Sequence, residues 1–294
     1  MSISGRVLLG GRDTVPLAHV WVALHHVTRE GGGPLDSMRT DANGRYRILL
    51  RQPDSAGSYV VSAWYDSIAY FSLPIALHGT TARVEDLFTY PSTTGSPPIH
   101  VSRRLATVAR PRDDGTREVL EILELENAGQ TTRITKDTLQ PTWAGRVPAH
   151  AGQFQGGQGD ISPEAIVFRN DSVHVLGPIP PGPVKQLTYG YSLPASARTF
   201  ELPIDQPTKE VNLLIEDTAA VVHAPGLESL GVQSVEERRF AAYRTGPLPA
   251  GSRVVIELPH KFRAQALLPF VIAVLAAGMV VALVWALRRR PAPA

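Results

Sequence analysis

The sequence predicts a mainly β protein, built as two β-sandwich domains in tandem and followed by one C-terminal transmembrane helix. Three observations lead to this fold class. Gly and Pro number 25 each among 294 residues, a share that suits many short strands joined by turns. Runs of alternating apolar and polar residues recur along the chain, and no long amphipathic helical pattern precedes residue 260. One long uncharged stretch then lies near the C-terminus.

The first predicted domain covers residues 1–92 and contains about seven short strand patterns. In one of them Val22 lies on one face and Trp21 on the opposite face, because side chains alternate along a strand. Asn43 and Gly44 favour the positive φ angles of a tight hairpin turn between two further strands. Strands of this number and length are typical of a small β-sandwich.

Three short motifs lie in this region: GRV over residues 5–7, VPLAHVWV over residues 15–22 and TDANGRY over residues 40–46. Their spacing resembles the carboxypeptidase regulatory-like, or transthyretin-like, domain family. The resemblance covers residues 1–92, about a third of the chain. It implies a prealbumin-like sandwich that serves as an accessory module in envelope and secreted proteins, without catalysis of its own. No catalytic residue carries over from the family.

A linker is predicted over residues 93–98, which are small, polar and rich in proline. A second β-sandwich, immunoglobulin-like in the broad sense, is predicted over residues 99–260, because short strands and turns alternate along it. Residues 118–127 give the clearest strand pattern, with an irregular alternation that predicts a bulge or an offset. Asn170 and Asp171 lie between two strand patterns and predict a two-residue hairpin turn.

The uncharged segment over residues 266–287 predicts the transmembrane helix. Residues 267–287 would span about 31 Å as a helix, close to the thickness of one hydrocarbon core. The segment shows no polar stripe, unlike a core helix of a soluble domain. Residues 288–294 form a short basic tail after it. Small residues four apart in the segment allow a homodimer through the anchor, with lipid-facing positions as the alternative.

The charge step across this segment predicts the location of the protein. The positive-inside rule places Arg288, Arg289 and Arg290 in the cytoplasm, and residues 1–260 on the other side of the cell membrane. The lipid bilayer is therefore an expected partner, through residues 266–287. No apolar segment of a signal peptide is visible at the N-terminus. Either the true start site lies upstream, or the chain is a tail-anchored protein that faces the cytosol.

The composition argues against several kinds of site. Without the three arginines of the tail, the basic residues fall from 29 to 26, against 27 acidic residues, so no basic surface for nucleic acid is implied. The chain has no cysteine, which excludes disulfides, thiolate metal sites and cysteine nucleophiles. His25 and His26 are adjacent on a predicted strand and cannot chelate one ion together. No catalytic residue, cofactor or metal ion is predicted.

Three further patterns have simple interpretations. Glu121, Glu124 and Glu126 are predicted to face solvent on a strand rather than to form an acid–base pair. Ser192 lacks the second glycine of a nucleophile elbow. Residues 41–44 resemble the start of a calcium loop but lack its later carboxylates, so they predict a plain turn.

The candidate binding surface consists of aromatic residues. Trp64, Tyr65, Tyr70 and Phe71 cluster around a predicted turn, where they either pack in the core or form a platform for a sugar or a peptide. Residues 144–160 predict a long glycine-rich loop. Phe154 is the one large apolar residue of this loop and would be its anchor on a partner. A surface loop without a role is the alternative.

These features predict a non-enzymatic, single-pass membrane protein that presents β-sandwich domains for binding or scaffolding in the bacterial cell envelope. Its ligand would be an envelope protein or a carbohydrate. Two alternatives stay open: an accessory subunit of a membrane protein complex, and a membrane-tethered hydrolase with a site between the two domains. A cluster of His, Asp and Ser in one cleft would favour the hydrolase.

Overall fold

The structure is a computed structural model that describes residues 1–28, 31–54, 57–75, 77, 79–95, 98–137, 140–235 and 237–259. These residues form strands in several sheets and one short 3-10 helix at Pro163–Ala165, which confirms the mainly β fold class. Within these ranges, no helix has the length and apolar character needed to cross a bilayer. The predicted transmembrane helix at 266–287 and the tail at 288–294 lie outside the described residues.

The first unit of the fold contains the strands up to Thr93. They are β1 (Ser2–Leu9), β2 (Val15–Pro16), β3 (Trp21–Thr28), β4 (Gly31–Arg39), β5 (Arg45–Leu49), β6 (Ser58–Tyr65), β7 (Ile68–Phe71), β8 (Thr81–Arg83), β9 (Leu87–Thr89) and β10 (Ser92–Thr93). One sheet has the order β2-β1-β5, and β8 and β9 pair with β1 in parallel. A second sheet has the order β4-β3-β6-β7.

A hydrophobic core joins the two sheets of the first unit. Ile3 and Ile48 contribute to it from one sheet, and Leu24 and Val61 from the other. All four side chains are almost completely buried. Burying a side chain of this size stabilises the fold by about 1.5–3 kcal/mol. The alternation along β3 therefore fixes which side of the sheet faces the core, and it leaves Trp21 on the outside.

The turn at residues 41–44 connects β4 to β5, and these two strands lie in different sheets. The predicted hairpin is therefore wrong in its strand pairing, although the residues do form a turn. Gly44 adopts a φ of 70°, which a residue with a side chain rarely does. The Asp41 carboxylate accepts hydrogen bonds from the N–H groups of Asn43 and Arg45, each at 2.8 Å. These bonds give the carboxylate a role within the turn itself.

The second unit contains the remaining strands. They are β11 (Ile99–Pro111), β12 (Thr116–Asn127), β13 (Thr132–Arg133), β14 (Trp143–Arg146), β15 (Gly152–Gly156), β16 (Ile166–Arg169), β17 (Ser172–Val175), β18 (Lys185–Pro194), β19 (Thr199–Pro203), β20 (Val211–Ile215), β21 (Val221–His223), β22 (Leu227–Val235), β23 (Arg238–Thr245) and β24 (Arg253–Glu257). The largest sheet has seven strands in the order β15-β18-β12-β11-β20-β23-β22. Two three-stranded sheets have the orders β14-β17-β16 and β19-β24-β21.

One core connects the three sheets of the second unit. Leu123 and Val211 contribute from the seven-stranded sheet, Val173 from β17 and Val254 from β24, and all are at most 2% exposed. The hairpin between β16 and β17 confirms the turn predicted at residues 170–171, which both have positive φ angles.

The strand predicted over residues 118–127 is confirmed as part of β12, but the bulge or offset predicted in it is wrong. Val119, Leu123 and Leu125 follow a regular alternation with their side chains buried on one face. The irregularity lies in the neighbouring strand β11, whose register shifts between Val101 and Arg103 and again near its end.

The long loop predicted over residues 144–160 is also wrong, because β15 and most of β14 lie within it. β15 forms one edge of the seven-stranded sheet and pairs with β18. Two glycines that follow β15 pack closely against β18: a Cβ on Gly157 would lie 2.6 Å from the Thr188 side chain, and one on Gly159 would lie 2.7 Å from the Gln186 carbonyl oxygen. In β14, a Cβ on Gly145 would lie 2.4 Å from the ring of Trp143, so only glycine fits beneath that ring. The glycines that suggested a loop therefore allow close packing of strands.

The two units contact each other through hydrogen bonds. Strand β10 pairs in parallel with β13, and Ile134 packs against the core of the first unit. The Tyr70 hydroxyl donates to the carbonyl of Tyr90 at 2.8 Å and lies 2.8 Å from the hydroxyl of Thr132. The predicted linker at 93–98 thus begins with a residue that is paired to the second unit.

Candidate functional site

The outer face of the β4-β3-β6-β7 sheet carries three exposed aromatic side chains. Trp21 is 49%, Trp64 55% and Phe71 59% exposed. These three residues are called the aromatic face below. They lie on three neighbouring strands, β3, β6 and β7, whose other side is buried in the core of the first unit. A rigid sheet therefore holds the three rings on the side that is open to solvent.

The register of these strands makes the aromatic face continuous. Trp21 lies directly opposite Trp64, and Phe71 lies opposite Ser62, two residues before Trp64 on the same face. Opposite residues have Cβ atoms about 4.5–5.5 Å apart. With strands spaced about 4.8 Å apart and rising about 3.4 Å per residue, the row from Trp21 to Phe71 extends about 12 Å. The rings therefore form a diagonal row rather than isolated exposed residues.

Polar groups flank the aromatic face. The guanidinium of Arg39 lies 4.8 Å from the centre of the Trp21 ring, a cation–π arrangement that holds this indole in place. His25 Nε2 lies 2.8 Å from Ser62 Oγ, and the His25 ring centre is 5.8 Å from that of Phe71. A ligand with flat apolar surfaces and polar edges could stack on the rings and accept hydrogen bonds from Arg39.

The structure separates the residues predicted to form a binding surface. Trp64 belongs to the aromatic face. Tyr65 follows it in the strand and packs against the core instead. Tyr70 is 6% exposed and its hydroxyl is engaged at the junction with the second unit. The inclusion of Tyr70 in a binding surface is therefore wrong, because its position on β7 faces the core.

Phe154 lies in the second unit and packs within its own chain. Its ring is stacked at 5.0 Å from Phe168 and at 5.7 Å from Tyr189, measured between ring centres. The half-buried ring covers the second core rather than serving as the free anchor of a loop. Sequence reasoning placed Trp21 on the face opposite Val22 but did not connect it with Trp64. The pairing of β3 with β6 makes that connection.

A second group of functional side chains forms a buried ionic cluster in the second unit. Arg104 Nε donates to Glu121 Oε2 at 2.6 Å, and these residues are 5% and 0% exposed. Arg104 Nη1 donates to the carbonyl of Pro203 at 2.6 Å, and the Tyr191 hydroxyl donates to Glu121 Oε1 at 2.8 Å. The prediction that Glu121 faces solvent is wrong, because it shares the inner face of β12 with Leu123.

The electrostatics of this cluster fix its protonation. Burial by itself lowers the pKa of Arg104, but the neighbouring Glu121 carboxylate more than offsets this effect, so the pKa lies above its ordinary value. Burial raises the pKa of Tyr189 and Tyr191 well above the ordinary tyrosine value, and the charge of Glu121 adds to the shift. Groups that hold their protons so firmly suit a structural role better than proton transfer at neutral pH.

The described residues offer little support for a hydrolytic site. The contact between His25 and Ser62 joins a possible base and nucleophile, but Ser62 is completely buried. Ser192 is 8% exposed on β18. Among the residues that the structure describes, no group of three or more His, Asp or Glu side chains could hold a metal ion.

No protein-family model and no curated protein matches the chain. Among solved structures it is similar to a mutant M1 zinc metallopeptidase from Deinococcus radiodurans, with 11% sequence identity and a TM-score of 0.36. The match covers 54% of this chain and 42% of that chain, so this chain spans less than half of the enzyme's length. A likeness this low carries no argument about fold or activity.

Proposed function

We propose that the protein is a non-enzymatic, single-pass membrane protein that binds a ligand on the aromatic face, outside the cytoplasm. In this proposal two β-sandwich domains, at 1–92 and 99–260, are held at the cell membrane by residues 266–287. The two-sheet arrangement around one core supports the resemblance of residues 1–92 to the carboxypeptidase regulatory-like family. The uncharged segment followed by three arginines supports the anchor and its orientation.

The observation that carries the binding function is the exposure of the aromatic face. Single apolar residues are common on protein surfaces, but a contiguous row of large rings is typical of an interaction site. Stacking of a sugar ring on an indole buries its apolar C–H face and leaves its hydroxyl groups at the edge. The row from Trp21 to Phe71 is long enough for a few linked sugars, so a carbohydrate of the cell envelope is the ligand we propose.

Affinity electrophoresis of the full chain in mild detergent tests this function. Native gels containing hydroxyethylcellulose or polygalacturonate serve as neutral and acidic probes. We expect one of these polymers to retard the protein. Trp64→Ala should weaken that binding about tenfold, which corresponds to about 1.4 kcal/mol.

Phe88→Ala is the matched control, because Phe88 is a 42% exposed aromatic residue on β9, in the other sheet. This variant should be retarded like the unmodified protein. Equal retardation of Trp64→Ala and the unmodified protein would refute the aromatic face as the binding surface. Retention of an envelope protein instead of a polymer, lost in Trp64→Ala, would keep the face and replace the carbohydrate by a protein ligand.

Protease digestion and carbonate extraction test the membrane anchor and its orientation. Protease added to spheroplasts should digest residues 1–260, because the charge step places them outside the cytoplasm. Extraction with alkaline carbonate should leave the full chain in the membrane fraction. Protection in spheroplasts with digestion in inverted vesicles would reverse the orientation and support the tail-anchored alternative.

A second candidate function is that of an accessory subunit of a membrane protein complex. Strand β22 favours it, because it is the last strand of the seven-stranded sheet among the described residues, and eight of its nine residues are exposed. The strand contains no Lys, Arg or Pro, and Glu228 is its one charged residue; a bulge lies between Ser229 and Gly231. Such an edge can pair with an extended segment of a partner protein.

The absence of cysteine makes this candidate easy to test. Gln233→Cys on β22, labelled with a photo-crosslinker in native membranes, should give a crosslinked protein band. Leu120→Cys is the control, since Leu120 is 44% exposed on β12 in the middle of the same sheet. Equal crosslinking from both positions would indicate random collisions and would remove the support for a partner at β22.

A further inference from the structure

A small cavity lies inside the second unit, between the seven-stranded sheet and β14. Its volume is about 10 Å³. Arg104 and Leu123 line it from the seven-stranded sheet, and Trp143 and Gly145 line it from β14. A cavity needs about 10–15 Å³ to hold one water molecule, so this one has room for a single small ligand.

Two of the lining residues each carry a buried donor that has no hydrogen-bond partner among the described residues. They are Arg104 Nη2 and Trp143 Nε1. Each residue is 5% exposed, so bulk water does not reach these atoms freely. The other groups of the Arg104 side chain are engaged by Glu121 and by the carbonyl of Pro203. Buried N–H groups of this kind are almost always satisfied by protein or by an ordered water molecule.

The charges and acceptors around the cavity decide which ligand fits. Glu121 already balances the charge of Arg104, and Asp205 balances that of Arg146 through an Nε–Oδ1 contact of 2.8 Å. An added anion would therefore meet no uncompensated positive charge on these side chains. Pro203, Asp205 and Tyr189 also line the cavity. Their carbonyl, carboxylate and hydroxyl oxygens are of the kinds that accept hydrogen bonds. A neutral molecule that both accepts and donates matches this lining.

We propose that one water molecule occupies the cavity, accepts hydrogen bonds from Arg104 Nη2 and Trp143 Nε1, and connects the seven-stranded sheet to β14. Asp205 also lines the cavity, and its carboxylate accepts a hydrogen bond from the Arg146 backbone N–H at 2.6 Å. The water is thus part of the polar core of the second unit.

Nuclear magnetic resonance of the full chain in detergent tests this proposal. The protein contains four tryptophans, so labelling the indoles with 15N gives a simple spectrum, in which Trp143→Phe identifies one signal by its loss. We expect a dipolar cross peak between the Trp143 indole proton and water, with the sign of a water that stays longer than the tumbling time. The Trp64 indole, which is 55% exposed, is the control and should lack such a peak.

Two further measurements distinguish a bound water from the Tyr189 hydroxyl and from a bound anion. The cross peak should persist in Tyr189→Phe, because its source is a water and not the nearby hydroxyl; loss of the peak there would overturn the proposal. Replacing chloride by bromide in the buffer should leave the Trp143 signal unchanged. A saturable shift with halide would assign the cavity to an anion, and a spectrum without any water cross peak at Trp143 would indicate a dry cavity. Either result would overturn the proposal.

Discussion

The buried pair of Arg104 and Glu121 leads to the sharpest prediction about stability. Glu121→Gln keeps the size of the side chain and an acceptor for the Tyr191 hydroxyl, but it removes the negative charge. The Arg104 guanidinium then stays in a site where the side chain is 6% exposed, without its counter-charge. Removing one partner of a buried pair costs about 3–5 kcal/mol, because the remaining charge is uncompensated.

A double-mutant cycle identifies the cause of this loss. Arg104→Met leaves the Glu121 carboxylate buried alone and should cost a similar amount. Arg104→Met combined with Glu121→Leu removes both charges and fills the space with apolar side chains, a change that is often close to neutral in such sites. We therefore expect the double variant to be more stable than either single variant, with a coupling of several kcal/mol.

Thermal and urea unfolding of the full chain in mild detergent, followed by near-ultraviolet circular dichroism, gives the measurement. For a unit of about 160 residues, each kcal/mol shifts the melting temperature by about 2–4 °C, so Glu121→Gln should lower it by about 6–20 °C. Glu201→Gln is the control, because Glu201 and Arg253 form a 3.1 Å pair whose side chains are 47% and 68% exposed. Its effect should stay below about 1 kcal/mol.

Two results would refute this reasoning. A loss below about 1 kcal/mol for Glu121→Gln, equal to that of the control, would mean that water screens the pair as it screens a surface salt bridge. Strictly additive effects in the double variant would mean that the two side chains contribute independently, and that the stability at this site comes from packing.

Three further predictions concern the same unit. Phe154→Ala should cost about 2–4 kcal/mol in unfolding experiments, because the half-buried ring stacks on its neighbours, whereas a free loop residue would cost almost nothing. The free energy of unfolding should fall as the pH rises above about 10, because tyrosines of the unfolded chain ionise there while the folded protein keeps Tyr189 and Tyr191 protonated. Tyr191→Phe should make the plot of stability against pH flatter above about pH 10. The hydrogen bond from Arg238 lowers the pKa of Glu216 in the folded protein. The stabilisation that the Glu216 carboxylate contributes is therefore fully present above about pH 4.3, and it is lost as the pH falls through the lower pKa of the folded state. Glu216→Gln should remove that acid dependence.

Local patterns in the sequence were enough for the mainly β fold class and for several of its elements. The alternation around Val22 and Trp21 predicted one buried and one exposed side of a strand, and the structure has that strand. The turn at Asn170 and Asp171 was also predictable, because positive φ angles at two successive residues match few turn types and favour Asn and Asp. Both depend on residues that are adjacent in the chain, where the alternation of side chains and local φ preferences act.

The tertiary structure decided which strands are neighbours, and with it the burial of side chains and the surfaces that residues from different strands form together. The local sequence pattern predicts Glu121 to be a surface residue. Arg104 on the adjacent strand balances its charge, and this offsets the free energy that its burial costs. The glycines around Phe154 suggest a loop until β18 supplies a partner for their backbone. Trp21 and Trp64 are 43 positions apart in the chain and become one surface only through the pairing of β3 with β6. Strand pairing over such separations leaves no mark in a local sequence pattern, because the energy that selects it comes from contacts between distant segments.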